Sequence, residues 1–240
     1  MNVVRFSSKR GFPFITKTWN PLAGKCNIGC SYCWARRLAE KYKMKKYTGE
    51  HRLFHQAFLR NNFSEKDFVF VCSMLDLFED SVPRYMIEKI LYFIKHSKGK
   101  FLLLTKNPKR YFNFCFSENI VLGCTIESDL GKRNVDNLKL MRELDFPSKM
   151  ISVEPILRFS PRFVHKIIWV KPDFVAVGYD NYKNKLDEPT KTETLGLIYT
   201  LERWKIKVYR KTIRKKWDFG ERKKELREDW KKKVIEGLQK

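Results

Sequence analysis

The sequence contains no long hydrophobic run and no secretion signal at its amino terminus. A membrane-spanning helix needs about 20 consecutive, mainly apolar residues, so none is predicted. The six cysteines lack the spacing of a secreted disulfide framework. No internal repeat or low-complexity linker divides the chain. We therefore expect a reduced, cytoplasmic protein that does not associate with membranes.

Acidic residues are also scarce, because 27 Asp and Glu stand against 50 Lys and Arg, giving a formal net charge of +23. Such an excess of one sign attracts polyanions, and contacts to phosphates supply affinity that does not depend on base sequence. Nucleic acid, either tRNA or DNA, is therefore the predicted partner. The alternative is a generally charge-rich surface of the kind found in thermophilic proteins.

Apolar residues make up 43% of the 240 residues, so a sizeable core is available. Short β-rich apolar runs alternate with segments of helical spacing, which is typical of parallel βαβ units. Periodicity leaves a barrel and an open doubly wound sheet equally possible. The predicted strands are 17–21, 68–72, 100–104, 119–124, 149–153, 173–177 and 206–209, and the predicted helices are 34–44, 86–94, 132–144, 160–169 and 192–204.

Polar residues follow the carboxyl end of almost every predicted strand, where barrel enzymes carry their reactive groups. Ser, Thr and Asp at such positions have an alternative role as helix N-caps. Lys106 and Glu154 are poor caps, so these two are the predicted catalytic residues. The residues at the strand ends are Ser73, Asp76, Thr105, Lys106, Glu127, Ser128, Glu154, Tyr179 and Asp180.

Three cysteines, Cys26, Cys30 and Cys33, lie together in a C-x3-C-x2-C arrangement. Clustered thiolates select zinc, copper(I) or iron–sulfur clusters. A structural zinc site uses four ligands, and the spacing differs from a ferredoxin run. Three thiolates on a four-iron cluster would leave one iron open for a chelating ligand, whereas the alternative is a partial zinc site. We expect the remaining cysteines to pack as small hydrophobic residues, and His51 and His55 to be ordinary loop or surface residues.

With Tyr32 in the aromatic position, this motif resembles the signature of the radical S-adenosylmethionine (SAM) superfamily. The resemblance implies a partial (β/α)6 TIM-like barrel over residues 1–210, with its cluster loop at 24–34. It also implies a 4Fe-4S cluster held by the three cysteines, whose open iron binds the amino and carboxylate groups of SAM. Reductive cleavage of SAM, with an electron from a ferredoxin or flavodoxin, would generate a radical that abstracts hydrogen from a substrate.

The resemblance further implies contacts to SAM at the strand ends. Ser73 and Asp76 take the position that holds the SAM amino group, although the common Gly-Gly-Glu is absent there. Glu127 is the candidate for the ribose, and Lys106 for the SAM carboxylate or a substrate phosphate. The predicted cofactor-binding set is Tyr32, Ser73, Asp76, Thr105, Lys106, Glu127, Ser128 and Glu154.

Five segments narrow the resemblance to a phage-protein-like branch, related to DNA repair photolyases and spore photoproduct lyase-like proteins. The branch has no settled substrate, so the resemblance implies the chemistry but not the target. The segments are Thr18–Pro21, the cysteine loop with Trp34 and Ala35, Ser73–Phe78, Thr105–Pro108 and Ser152–Pro155.

Residues 211–240 are predicted to form a basic helical extension. Its functional interpretation is a surface that follows a phosphate backbone while a tryptophan stacks on a base, and the alternative is an exposed closing helix. A non-catalytic nucleic-acid-binding protein with a structural metal or cluster also remains possible, as does radical chemistry on a small metabolite or a protein, with or without a partner protein. The predicted nucleic-acid contacts are Arg210, Lys211, Arg214, Lys215, Lys216 and Trp217.

Overall fold

The computed structural model of the chain describes residues 4–5, 11–59, 62–182 and 184–212. It is an α/β structure. The strands are β1 (Val4–Arg5), β2 (Lys17–Trp19), β3 (Leu22–Ala23), β4 (Arg52–Leu53), β5 (Phe68–Val71), β6 (Lys100–Thr105), β7 (Ile120–Thr125), β8 (Lys149–Val153), β9 (Phe174–Val177) and β10 (Lys207–Arg210).

The main sheet has the strand order β1-β2-β5-β6-β7-β8-β9-β10. Seven of these strands are parallel to one another, namely β2, β5, β6, β7, β8, β9 and β10. Strand β1 is added antiparallel to β2. Strands β3 and β4 pair separately. This arrangement confirms the predicted partial TIM-like barrel.

Helices connect most of the parallel strands. They are α1 (Trp34–Lys41), α2 (His55–Leu59), α3 (Arg84–Lys95), α4 (Lys132–Glu143), α5 (Phe163–Val170) and α6 (Lys191–Arg203), with short 3-10 helices at Lys45–Tyr47 and Pro108–Asn113. Within the described ranges, no helix has both the length and the apolar character that crossing a membrane requires.

The predicted strands and helices are confirmed to within a few residues of their bounds. The β3–β4 pair and α2 were not predicted, because elements this short leave no periodic signal. The connection from β6 to β7 is a 3-10 helix rather than an α-helix, and Pro108 occupies its first turn.

The chain forms two compact units, and each has its own core. The first unit comprises Met1–Cys124 with Leu144–Ser148, and the second comprises Thr125–Glu143 with Lys149–Lys240. In the first unit, the fully buried Trp19 stacks near Phe93, with ring centroids 4.8 Å apart. Its indole Nε1 donates to the carbonyl of Ala57 at 3.0 Å, so this large ring is buried with its polar atom satisfied.

In the second unit, apolar side chains of β8, β9 and α5 are buried together with Tyr179. The Tyr179 hydroxyl contacts Thr194 Oγ1 at 2.5 Å, which ties the end of β9 to α6. Helix α6 begins with a capping box, in which Thr190 and Glu193 satisfy each other's backbone N–H groups. The carboxyl end of β9 is therefore held against a helix whose start is well defined.

Candidate functional site

The cysteine loop, residues 24–33, follows the carboxyl end of β2 and the short β3 and leads directly into α1. Its three cysteines are reduced thiols of intermediate exposure. Cys33 is the N-cap of α1, and its Sγ accepts the N–H of Arg36 at 3.4 Å. The Arg36 guanidinium donates to the carbonyl of Cys30 at 3.0 Å. The second half of the loop is therefore fixed to the first turn of the helix.

The first thiol of the loop, Cys26, lies beside the residues that follow β5. Burial raises the pKa of Cys26 to about 11, and the nearby charges of Asp76 and Glu79 raise it further. The backbone N–H groups of Asp76 and Ile28 face the sulfur and oppose this shift. The environment therefore favours the protonated thiol until a cation binds it, because metal binding displaces a thiol proton.

Asp76 connects the ends of two adjacent parallel strands. Its carboxylate accepts the Thr105 hydroxyl at 2.7 Å, the backbone N–H of Lys106 at 2.8 Å and the backbone N–H of Phe78 at 3.0 Å. Burial raises the pKa of Asp76, and these hydrogen bonds and the Lys106 charge oppose the rise. The predicted residues Asp76, Thr105 and Lys106 are thus brought together, with the carboxylate engaged by the protein's own donors.

Lys106 also reaches the cysteine loop. Its Nζ lies 5.3 Å from the ring centroid of Tyr32, a cation–π distance. Tyr32 is the aromatic residue between Cys30 and Cys33. The predicted cofactor-binding residues Tyr32, Asp76, Thr105 and Lys106 therefore lie in one neighbourhood with Cys26.

Asn20 is a residue of this neighbourhood to which the sequence assigned no role. Its Oδ1 accepts from the Ser73 hydroxyl and from the backbone N–H of Met74, both at 3.3 Å. Ser73 is thus placed beside the end of β2 by a side chain from the preceding loop. In the sequence, Asn20 was marked only by its position directly after β2, in the segment Thr18–Pro21.

Two polar residues that were predicted to bind the cofactor, one acidic and one hydroxylic, follow β7 in the second unit. Glu127 is buried and lies 3.4 Å from the guanidinium of Arg133, on α4. The Ser128 hydroxyl donates to the carbonyl of Arg158 at 2.5 Å and accepts the N–H of Leu130 at 3.1 Å. Ser128 therefore organises its own turn and is not the N-cap of α4, which begins at Lys132, whereas Glu127 places a carboxyl group at the strand end.

Glu154 follows β8 and forms an ion pair with Lys211, which follows β10. The distance from Nζ to Oε2 is 2.6 Å, and each side chain is 13% exposed. Gly178, directly after the intervening β9, makes room for this pair, because a Cβ there would lie 3.2 Å from Lys211 Cβ and 3.6 Å from Glu154 Cδ. The predicted catalytic residue Glu154 and the predicted nucleic-acid contact Lys211 are thus direct neighbours.

The other predicted tail contacts divide into two groups. Arg210 pairs with Glu202 on α6 at 2.8 Å. Arg214, Lys215, Lys216 and Trp217, like the rest of the predicted helical extension beyond Thr212, lie outside the described residues.

Two sequence expectations about single residues need correction. Cys115 is exposed, whereas Cys72 and Cys124 are buried as expected. The rings of Phe114 and Phe116 on either side of Cys115 pack against Phe78, so the thiol between them points outward. His51 is not a surface histidine, because its side chain is only 7% exposed and lies against Glu79.

Residues 10–193 match a protein family described as a protein of unknown function (DUF5131). The chain belongs to the DUF5131 family. The sequence matches no functionally curated protein. A solved structure of spore photoproduct lyase, a double mutant with bound AdoMet and dinucleoside spore photoproduct, has a TM-score of 0.49 to this DUF5131 protein at 12% identity, over 90% of this chain and 67% of that chain.

The donor set of the cysteine loop fits a thiolate-held cluster in its chemistry, since one loop carries three reduced and accessible thiols. Within the described part of the DUF5131 chain, however, no three His, Cys, Asp or Glu side chains are arranged to hold a metal ion. Gly29, with φ of 76°, stands between Cys26 and Cys30 and gives the loop backbone freedom.

Proposed function

We propose that this DUF5131 protein is a radical SAM enzyme in which Cys26, Cys30 and Cys33 hold a 4Fe-4S cluster. Bound there, the cluster would supply one electron, drawn from a ferredoxin- or flavodoxin-like donor, for the reductive cleavage of SAM to methionine and a 5′-deoxyadenosyl radical that would abstract hydrogen from the substrate. The observation that carries the proposal is the convergence of Tyr32, Asp76 and Lys106 beside Cys26.

Residues of the first unit would position the cofactor. We assign the carboxylate of SAM to the ammonium group of Lys106, because its Nζ lies 5.3 Å from the ring centroid of Tyr32 in the cysteine loop. The carboxylate of Asp76 already accepts three hydrogen bonds, so its main contribution is to hold Thr105 and Lys106 in place. This differs from a direct contact between Asp76 and the SAM amino group, which the resemblance implies.

In the second unit, the carboxyl groups of Glu127 and Glu154 would bind the cofactor and the substrate. Glu127 is suited to accept hydroxyl hydrogens of a ribose, because its carboxyl oxygens are hydrogen-bond acceptors just beyond the end of β7. Glu154, together with Lys211, offers a carboxylate and an ammonium group for a polar substrate. Ser128 contributes to the turn rather than to the ligand, because its hydroxyl already donates to Arg158 and accepts from Leu130.

We propose a nucleic acid, tRNA or DNA, as the substrate. The net charge of +23 supports this choice, because such a surface binds phosphates with an affinity that falls steeply with salt. The cofactor would supply the difficult chemistry while the protein binds and orients the strand. A small metabolite or a protein as substrate predicts weak, salt-insensitive binding of nucleic acid.

The test is anaerobic reconstitution with iron and sulfide, followed by electron paramagnetic resonance of the reduced protein with and without SAM. We expect a four-iron signal that changes when SAM is added, and SAM cleavage that Cys30→Ala abolishes. Cys115→Ala, at an exposed cysteine outside the loop, is the matched control and should retain both. A colourless protein with stoichiometric zinc, or a cluster whose signal ignores SAM, would overturn the proposal in favour of a structural metal site.

A further inference from the structure

A buried histidine–glutamate pair lies behind the cysteine loop, and the proposed chemistry gives it no role. His51 Nε2 is 3.2 Å from Glu79 Oε1, and the two side chains are 7% and 3% exposed. Nε2 makes no hydrogen bond among the described residues. Placing two ionisable side chains together in a buried position is costly.

Glu79 connects this pair to the interior of the loop through Ser81. The Ser81 hydroxyl donates to Glu79 Oε1 at 2.5 Å, and the Ser81 backbone N–H donates to Oε2 at 3.2 Å. Because the hydroxyl hydrogen is directed toward Glu79, the oxygen is left as an acceptor for Asn27 Nδ2 at 2.9 Å. Asn27 is the residue next to Cys26.

His51 closes over the start of the loop. Gly24 has φ of 123°, and a Cβ at this position would lie 2.8 Å from both Cα and Cδ2 of His51. The segment before His51 also binds the loop, because Gly24 N–H donates to the Lys46 carbonyl at 2.9 Å and Lys25 N–H donates to the Gly49 carbonyl at 3.0 Å. The backbone on the amino-terminal side of Cys26 is therefore held by residues 46–51.

We propose that His51, Glu79 and Ser81 are positioning residues that hold residues 24–27 and thereby present Cys26, the first of the three thiols, to the iron–sulfur cluster. The role in presenting Cys26 to a cluster rests on the proposed function. The contacts themselves follow from a difference between the two halves of the cysteine loop. Helix α1 fixes the second half through Cys33 and Arg36, whereas the first half belongs to no helix or strand and is held by the backbone of residues 46–49 and by side chains.

The first test uses the protein without a cluster and measures the alkylation rate of each cysteine by peptide mass spectrometry. In Ser81→Ala and His51→Gln we expect Cys26 to react several-fold faster than in the wild type, while the exposed Cys115 keeps its rate. His55→Gln, an exposed histidine four residues away, is the matched control and should change nothing. An unchanged Cys26 rate in folded Ser81→Ala would overturn the proposal. That variant carries the test even if His51→Gln does not fold, because Ser81 is exposed.

The second test measures iron binding during anaerobic reconstitution. Residues that orient metal ligands typically contribute about 10- to 100-fold to metal affinity, so we expect Ser81→Ala and His51→Gln to bind iron correspondingly more weakly than His55→Gln. Equal affinity in all three proteins would refute the positioning role while leaving the radical SAM assignment intact. If the wild type itself takes up no cluster, the proposed function fails, and the alkylation rates still decide whether the three residues hold the loop.

Discussion

The two ends of β5 carry carboxylates in opposite electrostatic situations. Asp67, just before the strand, pairs with Lys17 Nζ at 2.8 Å and accepts the Ser64 N–H and hydroxyl at 2.8 and 2.9 Å. Burial alone would raise the pKa of Asp67, but the bonds from Lys17 and Ser64 outweigh it and lower the pKa. This end of the strand is electrostatically satisfied.

Asp76, beyond the other end of β5, accepts hydrogen bonds but forms no ion pair within the described ranges. Burial is the largest influence on it and raises its pKa. In parallel α/β barrels the carboxyl ends of strands carry function and the amino ends carry stability. The difference between Asp67 and Asp76 has the direction that this division predicts, since the less compensated carboxyl group lies beside Cys26.

The Glu154–Lys211 pair in the second unit is an exception to the contrast between amino and carboxyl ends of strands. Glu154 lies at the carboxyl end of a strand and yet has a cation 2.6 Å away. Removing one partner of a largely buried pair typically costs about 3 kcal/mol. We expect Lys211→Met to lower the free energy of unfolding by roughly that amount, measured by urea denaturation. A loss of this size would mean that the pair contributes to the stability of the second unit.

The matched control is the neighbouring Arg210→Met. The Arg210–Glu202 pair is 39% and 43% exposed, and exposed pairs contribute about 1 kcal/mol or less. Adding Glu154→Gln to Lys211→Met should recover part of the loss, since it removes the carboxylate charge that Lys211 faced. Equal effects of Lys211→Met and Arg210→Met would show that Glu154 is not held by Lys211.

The carboxyl ends of adjacent parallel strands lie at the same edge of a sheet. For this reason the sequence predicted that Asp76, Thr105 and Lys106 lie in one site. The ion pair of Glu154 was not foreseen, because Lys211 belongs to a run of basic residues that suggests a solvated tail. The sequence did not reveal how close Glu154 and Lys211 lie in the sheet. Both residues stand one position beyond strands that flank β9, and Gly178 at the end of β9 leaves the space between them open.

The His51–Glu79 pair could not be predicted for a different reason. The two residues are far apart in sequence and lie in loops, where periodicity carries no information. Only the tertiary packing around Gly24 brings them together. The cysteine motif was visible from spacing alone, but the residues that hold its loop were not.

The amino end of β5 should show the second largest effect. Asp67→Asn removes the charge that pairs with Lys17 and weakens the acceptors for Ser64, so we expect a loss of about 2 kcal/mol at neutral pH. Asp136→Asn, where the partner Lys139 is 4.0 Å away on an exposed helix face, should cost less than about 0.5 kcal/mol. Urea denaturation of both variants measures the difference. Similar losses would contradict the assignment of the amino end to stability.

The smallest effect, and the sharpest test of the comparison, is the pH dependence of stability at Asp76. Its pKa is raised above the ordinary 3.8, so the folded chain keeps the proton to higher pH than the unfolded chain, and stability contributed by this group falls as pH rises above that value. The Asp76→Asn variant has no carboxyl group at this position, so it lacks this pH dependence. The stability of the variant relative to the wild type should therefore increase as the pH rises above 3.8. Asp67→Asn should show the opposite slope, because the lowered pKa of Asp67 makes its contribution present above its ordinary pKa and lost as pH falls. Two profiles of the same sign would mean that the ends of β5 do not differ in the way their hydrogen bonds and burial indicate.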